Sequence, residues 1–256
     1  MIMNKTSLRQ WSVILTSIFA LTVNTLAVVL PLNGRSTAAI SDSFKVLFVP
    51  AGYVFSIWGL IYIGLIGFTI YQALPSQRDN PLLQKVSWLV ALSSLLNGGW
   101  IFFWHYGVYA MTLVVMLLLL ATLIAIYLRL DIGRVAFSAA DKWLVSIPFS
   151  IYLGWITVAT IANVTDVLSW AGFTGGGIDP QAWVVILLAA GVAIATIASI
   201  TRRDVAYLLV LVWAFAGIGV HWPALPTVTM ASYTATVLVA LLAVYSLTMR
   251  LRPQKV

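Results

Sequence analysis

The chain has 256 residues, 62% hydrophobic and 8% charged, with a formal net charge of +7 and no cysteine. A water-soluble domain carries about 25% charged residues, so this composition excludes a chain whose solvent is water and points to lipid. The missing cysteines exclude a disulfide framework, a thiolate nucleophile and a Cys-ligated metal.

Eight apolar stretches approach the ~20 residues that a bilayer crossing needs: residues 9–30, 52–73, 86–105, 108–128, 143–165, 181–200, 205–221 and 228–249. The expected fold class is therefore an all-α integral membrane protein, a bundle of eight transmembrane helices. The basic residues sit in the short loops, which suits membrane orientation and not nucleic-acid binding. With a cytoplasmic N-terminus, Lys5, Arg9, Arg78, Lys85, Arg129, Arg134, Lys142, Arg202, Arg203, Arg250, Arg252 and Lys255 all fall inside, and only Arg35 and Lys45 outside. That asymmetry follows the positive-inside rule and puts both chain ends in the cytoplasm. The location expected is a bacterial plasma membrane.

In chain order, the first span follows Lys5 and Arg9 as a signal peptide would. Its apolar run exceeds the ~7–15 residues of a signal h-region, so it reads as a retained helix. The second span opens with Val49–Tyr62, VPAGYVFSIWGLIY. On a helix Phe55, Trp58 and Tyr62 share one face, at i, i+3 and i+7. The indole N–H and phenol O–H need partners that lipid lacks, so this face should look into the bundle. In the third span Asn97, Trp100 and Trp104 repeat the pattern. The fourth, with Met116–Leu120, reads as packing or lipid-facing. The fifth carries Tyr152, Trp155, Ala159 and Asn163 on one face, after a Pro148 expected to kink it. An amide in hydrocarbon is costly unless paired, so Asn97 and Asn163 should also face inward. The segment Asp166–Pro180, with Gly175, Gly176 and Gly177, reads as a flexible link dividing a five-span region, 1–168, from a three-span region, 169–256. In the sixth span Gly191, Ala195 and Ser199 recur every four residues, a spacing that allows close helix packing within one chain or between two copies, so a homodimer is compatible with it.

Alternating topology places the three aromatic and amide faces at matched depth in the outer leaflet, where they could line one cavity for a flat, small hydrophobic ligand. The competing reading is passive: Trp and Tyr also anchor helices at the interface, as expected for Trp11, Trp88, Trp170, Trp183 and Trp222. Asn97 and Asn163 serve equally as interhelical hydrogen-bonding groups.

The stretch Pro50–Tyr62, the Leu96-Asn97…Trp100 motif and the Trp155…Ala159…Asn163 motif, in that order, resemble the TspO/MBR family, the tryptophan-rich sensory and translocator proteins. The resemblance covers about residues 8–168. The family's Pro-Pro stands here as Pro50-Ala51, and its Pro-Tyr before the fifth-helix Trp is missing, with Pro148-Phe149 lying earlier. The resemblance implies a five-helix bundle that binds porphyrin, haem or other flat hydrophobic molecules. It would be lined by Trp58, Tyr62, Asn97, Trp100, Trp155, Ala159 and Asn163, with Phe55, Trp104 and Tyr152 added from the shared faces. The three last spans have no counterpart in the five-helix members. The family's sterol motif is not matched, since no Lys or Arg follows Asn163 until Arg202.

His105 and His221 fall at outer span ends, either as haem-iron ligands or as solvated interface residues. Asp166 and Asp179 face the same side and could pair with them or with Arg35. No nucleophile–base set, phosphate loop or metal-ligand spacing is present, so no catalytic or metal site and no required cofactor is expected. A small-amphiphile transporter is the alternative function, though the spans lack the charges that often mark ion-coupled transport. A retinal protein would need a membrane-buried lysine, and every Lys lies in a loop or terminus.

Overall fold

The structure, a computed structural model, describes residues 5–30 and 32–251. Arg252 and Lys255, counted above as cytoplasmic, lie outside the described residues, as does the side chain of Lys5. Among the described residues there is no strand, and eight long helices carry the fold. They are α1 (Lys5–Val29), α2 (Ile57–Ala73), α3 (Pro81–His105), α4 (Tyr109–Arg129), α5 (Ile147–Trp170), α6 (Pro180–Arg202), α7 (Val205–His221) and α8 (Pro226–Leu251). Seven are long and apolar enough to cross a membrane, α2 when the preceding turn is counted with it as Gly52–Ala73, and α7, with 17 residues, is the shorter eighth. At ~1.5 Å per residue it reaches about 25 Å, near the lower limit for a crossing. The class is the one that composition and span length imply.

Local chemistry sets the helix starts. Proline opens α3, α6 and α8 and stands in the first turn of α5, where its missing N–H is not needed. Asn80, Asp179 and Asp204 cap α3, α6 and α7 by accepting from the first free backbone N–H groups. Pro148 lies within a continuous helical run, Ala139–Trp170. A π-helical turn over Lys142–Ser146 precedes it and absorbs the interruption. The second span departs in a similar way: Gly52–Ser56 is a 3-10 turn and the α-helix begins only at Ile57. Phe55 therefore sits on a tighter spiral than Trp58 and Tyr62.

Two groups of helices result. The first five form a closed ring in the order α1, α3, α4, α5, α2 and back to α1. The last three pack on one another, and α7 docks on the outer side of α5. The small residues of α6 are consumed here: Gly191 admits the Phe215 ring, Ala195 is buried, and the Ser199 and Ser246 hydroxyls lie 2.8 Å apart. The α5–α7 seam carries two buried polar contacts. Ser150 Oγ donates to Asp204 Oδ2 at 2.6 Å, and Tyr207 OH donates to Thr157 Oγ1 at 3.1 Å. The start of the second span is tied to α7 as well: Ala51 N–H donates to Gly217 O at 3.0 Å and Trp213 Nε1 donates to Val54 O at 3.1 Å.

The two ends of the bundle differ in charge. At one end Arg9 donates to Arg78 O, Arg129 to Lys85 O and Arg203 to Met249 O, and Arg202 pairs with Asp131. The opposite end holds the 32–56 segment against the C-terminus of α3. Between them the outward faces are apolar: Ile63, Ile70, Leu118, Ile197, Ile200 and Leu241 are all more than half exposed. Such a girdle is too large for contact with water and suits lipid.

Gly217 is where α7 meets the second span most closely. A Cβ there would overlap the fully buried side chain of Val54. Gly217→Leu is expected to destabilise the protein by about 1–3 kcal/mol, as overpacked cores do, measured by thermal unfolding of the detergent-solubilised protein.

Candidate ligand-binding site

The site is built on α2 and α5, which approach closely because α2 has glycine where it meets α5: a Cβ at Gly64 would lie 2.9 Å from the Pro148 ring. Around this contact five of the expected residues meet. Trp58 stacks on Tyr62 with centroids 5.4 Å apart, and it meets Tyr152 at 6.0 Å and Trp155 at 6.2 Å edge to face. Phe55 lies edge-on to Trp155 at 5.8 Å, so the 3-10 turn still delivers it to the cluster. Tyr152 and Trp155 are almost fully buried, and neither the Tyr152 hydroxyl nor the Trp155 indole N–H has a hydrogen-bond partner.

Beside Tyr62 and Tyr152, inside the five-helix ring, lies a small cavity with room for about one water molecule, lined by Ser17, Tyr62, Leu65, Ser94, Asn97 and Tyr152 among others. It is smaller than the ~300–1,000 Å³ of sites for drug-sized ligands. No charged side chain lines it.

The remaining expected residues form a second group, between α3, α4 and α5. Trp100 stacks on Trp104 at 4.9 Å. Trp100 Nε1 donates to Asn163 Oδ1 at 3.4 Å, and Asn163 Nδ2 donates to Thr112 Oγ1 at 3.0 Å. Trp104 Nε1 donates to Thr37 O at 3.2 Å, with Phe44 and Tyr109 against its ring. Ala159 is half-buried on α5 between the two groups. Trp100 and Trp104 are thus engaged with α5 and with the 32–56 segment, not with the cavity lining. Of the tryptophans expected as interface anchors, Trp11, Trp88 and Trp170 are each more than half exposed. Trp183 instead pins the glycine link by donating to Gly175 O at 2.9 Å.

The outer histidine and acidic residues are placed differently from the pairings considered. His105 is buried with both ring nitrogens engaged, Nδ1 at 2.9 Å from Leu32 O and Nε2 at 3.1 Å from Thr37 Oγ1, so neither is available to iron. His221 lies against Trp222 at the end of α7, outside the ring. Asp179 is used as the α6 cap. Asp166 is buried and one of its oxygens is unpartnered; among the described residues no ion pair links either aspartate to Arg35 or a histidine. No group of metal-ligating side chains occurs among the described residues.

Two residues escaped the sequence reading, and a third, Asp166, was considered only as a pairing group. Asn24 on α1 donates through Nδ2 to Asn97 Oδ1 at 2.6 Å. Its signal was there, an amide inside an apolar run, which costs the same in the first span as in the third. Thr112 carries no such signal, because threonine satisfies itself on the preceding turn of any helix. Asp166 follows Asn163 by three on the same face of α5, a spacing that was legible.

Removing Asn163 leaves both the Trp100 indole and the Thr112 hydroxyl without this partner. Asn163→Leu is expected to cost about 1 kcal/mol, in the range of interhelical hydrogen bonds in membranes, read from unfolding midpoints in detergent.

Comparison with known proteins gave no match among curated proteins or solved structures. A family profile, described as TSPO-like protein, matches residues 10–246, which reaches beyond the ring into α8. That match spans nearly the whole chain. An all-helical membrane bundle whose second, third and fifth helices carry these aromatic and amide faces is thereby identified as a member of the TSPO-like family.

Proposed function

We propose that this protein binds a flat, hydrophobic ligand of the porphyrin or haem class between α2, α3 and α5, as a sensory or translocator-like membrane protein. The observation that carries this reading is the pair of buried, unpartnered polar tips, Tyr152 OH and Trp155 Nε1, within an otherwise apolar aromatic cluster. A buried donor without a partner costs about 1–3 kcal/mol, and a bound acceptor would recover part of that. The ring faces of Trp58 and Trp155 supply dispersion and stacking to a planar guest. The guest is held by its faces, since both ring nitrogens of His105 are engaged elsewhere. A macrocycle exceeds the cavity, so binding requires the surrounding helices to part, and affinity is reduced by whatever that parting costs. No resident cofactor is required.

The test is quenching of intrinsic tryptophan fluorescence by protoporphyrin. Trp58→Phe combined with Trp155→Phe is expected to weaken protoporphyrin affinity at least tenfold, read by quenching of the remaining tryptophans. Unchanged affinity would reject this location.

We also propose that the arginine-rich end of the bundle faces the cytoplasm, because loops rich in Lys and Arg are retained there. With eight crossings both termini share that side. A C-terminal green fluorescent protein fusion is expected to fluoresce in cells, and a C-terminal alkaline phosphatase fusion to be inactive.

A further inference from the structure

Four arginines from three separate segments gather where α6 ends. The α4–α5 loop lies directly on that end: a Cβ at Gly133 would overlap Arg202 O. From the same loop Arg134 Nε donates to Thr201 O at 3.4 Å. From α8 Arg250 Nη2 reaches the next carbonyl, Arg202 O, at 3.5 Å. Arg203 stands in the turn between α6 and α7, and its Nη1 reaches Met249 O at 3.4 Å. Arg202 itself turns inward, pairing with Asp131 and lying over the Tyr127 ring.

The charges at this junction do not cancel. Asp131 is taken by Arg202, in the one ion pair among the described residues. Asp204, the acid of the turn, is buried and bonded to Ser150 and to the backbone of α7. Asp141, just past the far end of the α4–α5 loop, is bonded to Tyr71 and Ser138. Arg134, Arg203 and Arg250 therefore stand together without a carboxylate of their own. Backbone carbonyls at the ends of α6 and α8 occupy one nitrogen of each, at long range. The rest of each guanidinium is unused, and it stays charged at any working pH. Arg134 and Arg250 are exposed and Arg203 is half-buried.

A lipid-facing surface begins within two turns of these arginines. Ile197 and Ile200 on α6, and Val244 and Leu247 on α8, are exposed. Fixed positive charge beside an apolar outward face matches a molecule with a negative head and apolar tails.

We infer that Arg134, Arg203 and Arg250 form a binding site for the phosphate of an anionic membrane phospholipid, seated over the end of α6 with its acyl chains along α6 and α8. Guanidinium N–H groups match phosphate oxygens in pairs, and basic pockets between membrane helices take anionic headgroups. A phosphate held there joins a loop of the five-helix ring to two helices of the extension. The apolar faces beside the arginines are what favours a lipid over a soluble phosphate. The inference needs only that the bundle lies in a membrane, and it is independent of the flat-ligand reading.

The test is lipid binding by the full-length protein in detergent, measured by native mass spectrometry with phosphatidylglycerol and phosphatidylcholine of identical acyl chains. Wild-type protein is expected to bind phosphatidylglycerol about tenfold more tightly or better. An arginine near a headgroup is worth about fivefold in affinity. Arg134→Gln combined with Arg250→Gln should therefore remove most of the preference and leave phosphatidylcholine binding unchanged. Arg78→Gln combined with Lys85→Gln removes the same charge at exposed positions of the same end, away from α6, and should keep the preference within about twofold. Thermal melting checks folding, and should the paired arginine variant unfold, either single substitution is expected to cost about fivefold. Equal wild-type affinities for the two lipids, or an equal loss in the Arg78 and Lys85 variant, would overturn the site. Glycerol phosphate, which has the charge without the chains, should not displace phosphatidylglycerol at equal concentration; displacement would reject the lipid as the occupant.

Discussion

Hydrocarbon offers no hydrogen bonds, so every amide within the membrane must find its partner on another helix or on its own turn. Two such amide pairings organise this bundle. Asn24 and Asn97 link α1 to α3, and Asn163 links α5 to Trp100 on α3 and Thr112 on α4. Together they tie four of the five ring helices at the level where the aromatic residues gather. The ring is closed by α2, whose contacts with α5 are aromatic and van der Waals, with Gly64 against Pro148. α2 is tied to α1 at another level, where Gln10 Nε2 donates to Gln72 O at 2.7 Å and Gln72 Nε2 donates to Gln10 O at 3.3 Å.

The three additional helices are a structural extension of that ring and not a separate body. Their contact with it is made by α7, through Tyr207 and Asp204 toward α5 and through Gly217 and Trp213 toward the turn that begins the second span, and by Arg202 at the end of α6, which pairs with Asp131. That turn supplies Phe55 to the aromatic cluster. The extension thus buttresses the same turn and the same helix that build the site, and it leaves an apolar outward surface on α6 and α8 for lipid.

The polar groups within the bundle divide into those that hold the fold and those that are free. His105, Trp104 and Asn33 clamp the 32–56 segment to the end of α3. Trp100 and Asn163 hold α3 to α5. What remains free faces inward, above all the Trp155 indole and the Tyr152 hydroxyl. A hydrogen-bonding side chain in a membrane protein is informative about ligands only after its structural partners have been counted, because most such groups are consumed by helix association.

Read alone, the sequence determined the solvent, the helical class, the number of crossings, the charge asymmetry of the ends and the faces on which Trp58, Tyr62, Tyr152 and Trp155 lie. These follow from composition and helical period, which are local properties of the chain. It did not determine which of the aromatic faces meet. Phe55, Trp58, Tyr62, Tyr152 and Trp155 share one cluster, whereas Trp100 and Trp104 belong to another with Thr37, Phe44 and Tyr109, because the ring order sets α3 and α2 on opposite sides of α1. Nor could it tell that His105 is engaged or that Asn97 is oriented by Asn24, 73 residues away in the chain. Helical period says which way a side chain points from its own axis. Only the packing of one axis against another decides what it points at, and in lipid that decision also settles whether a polar group is spent or available.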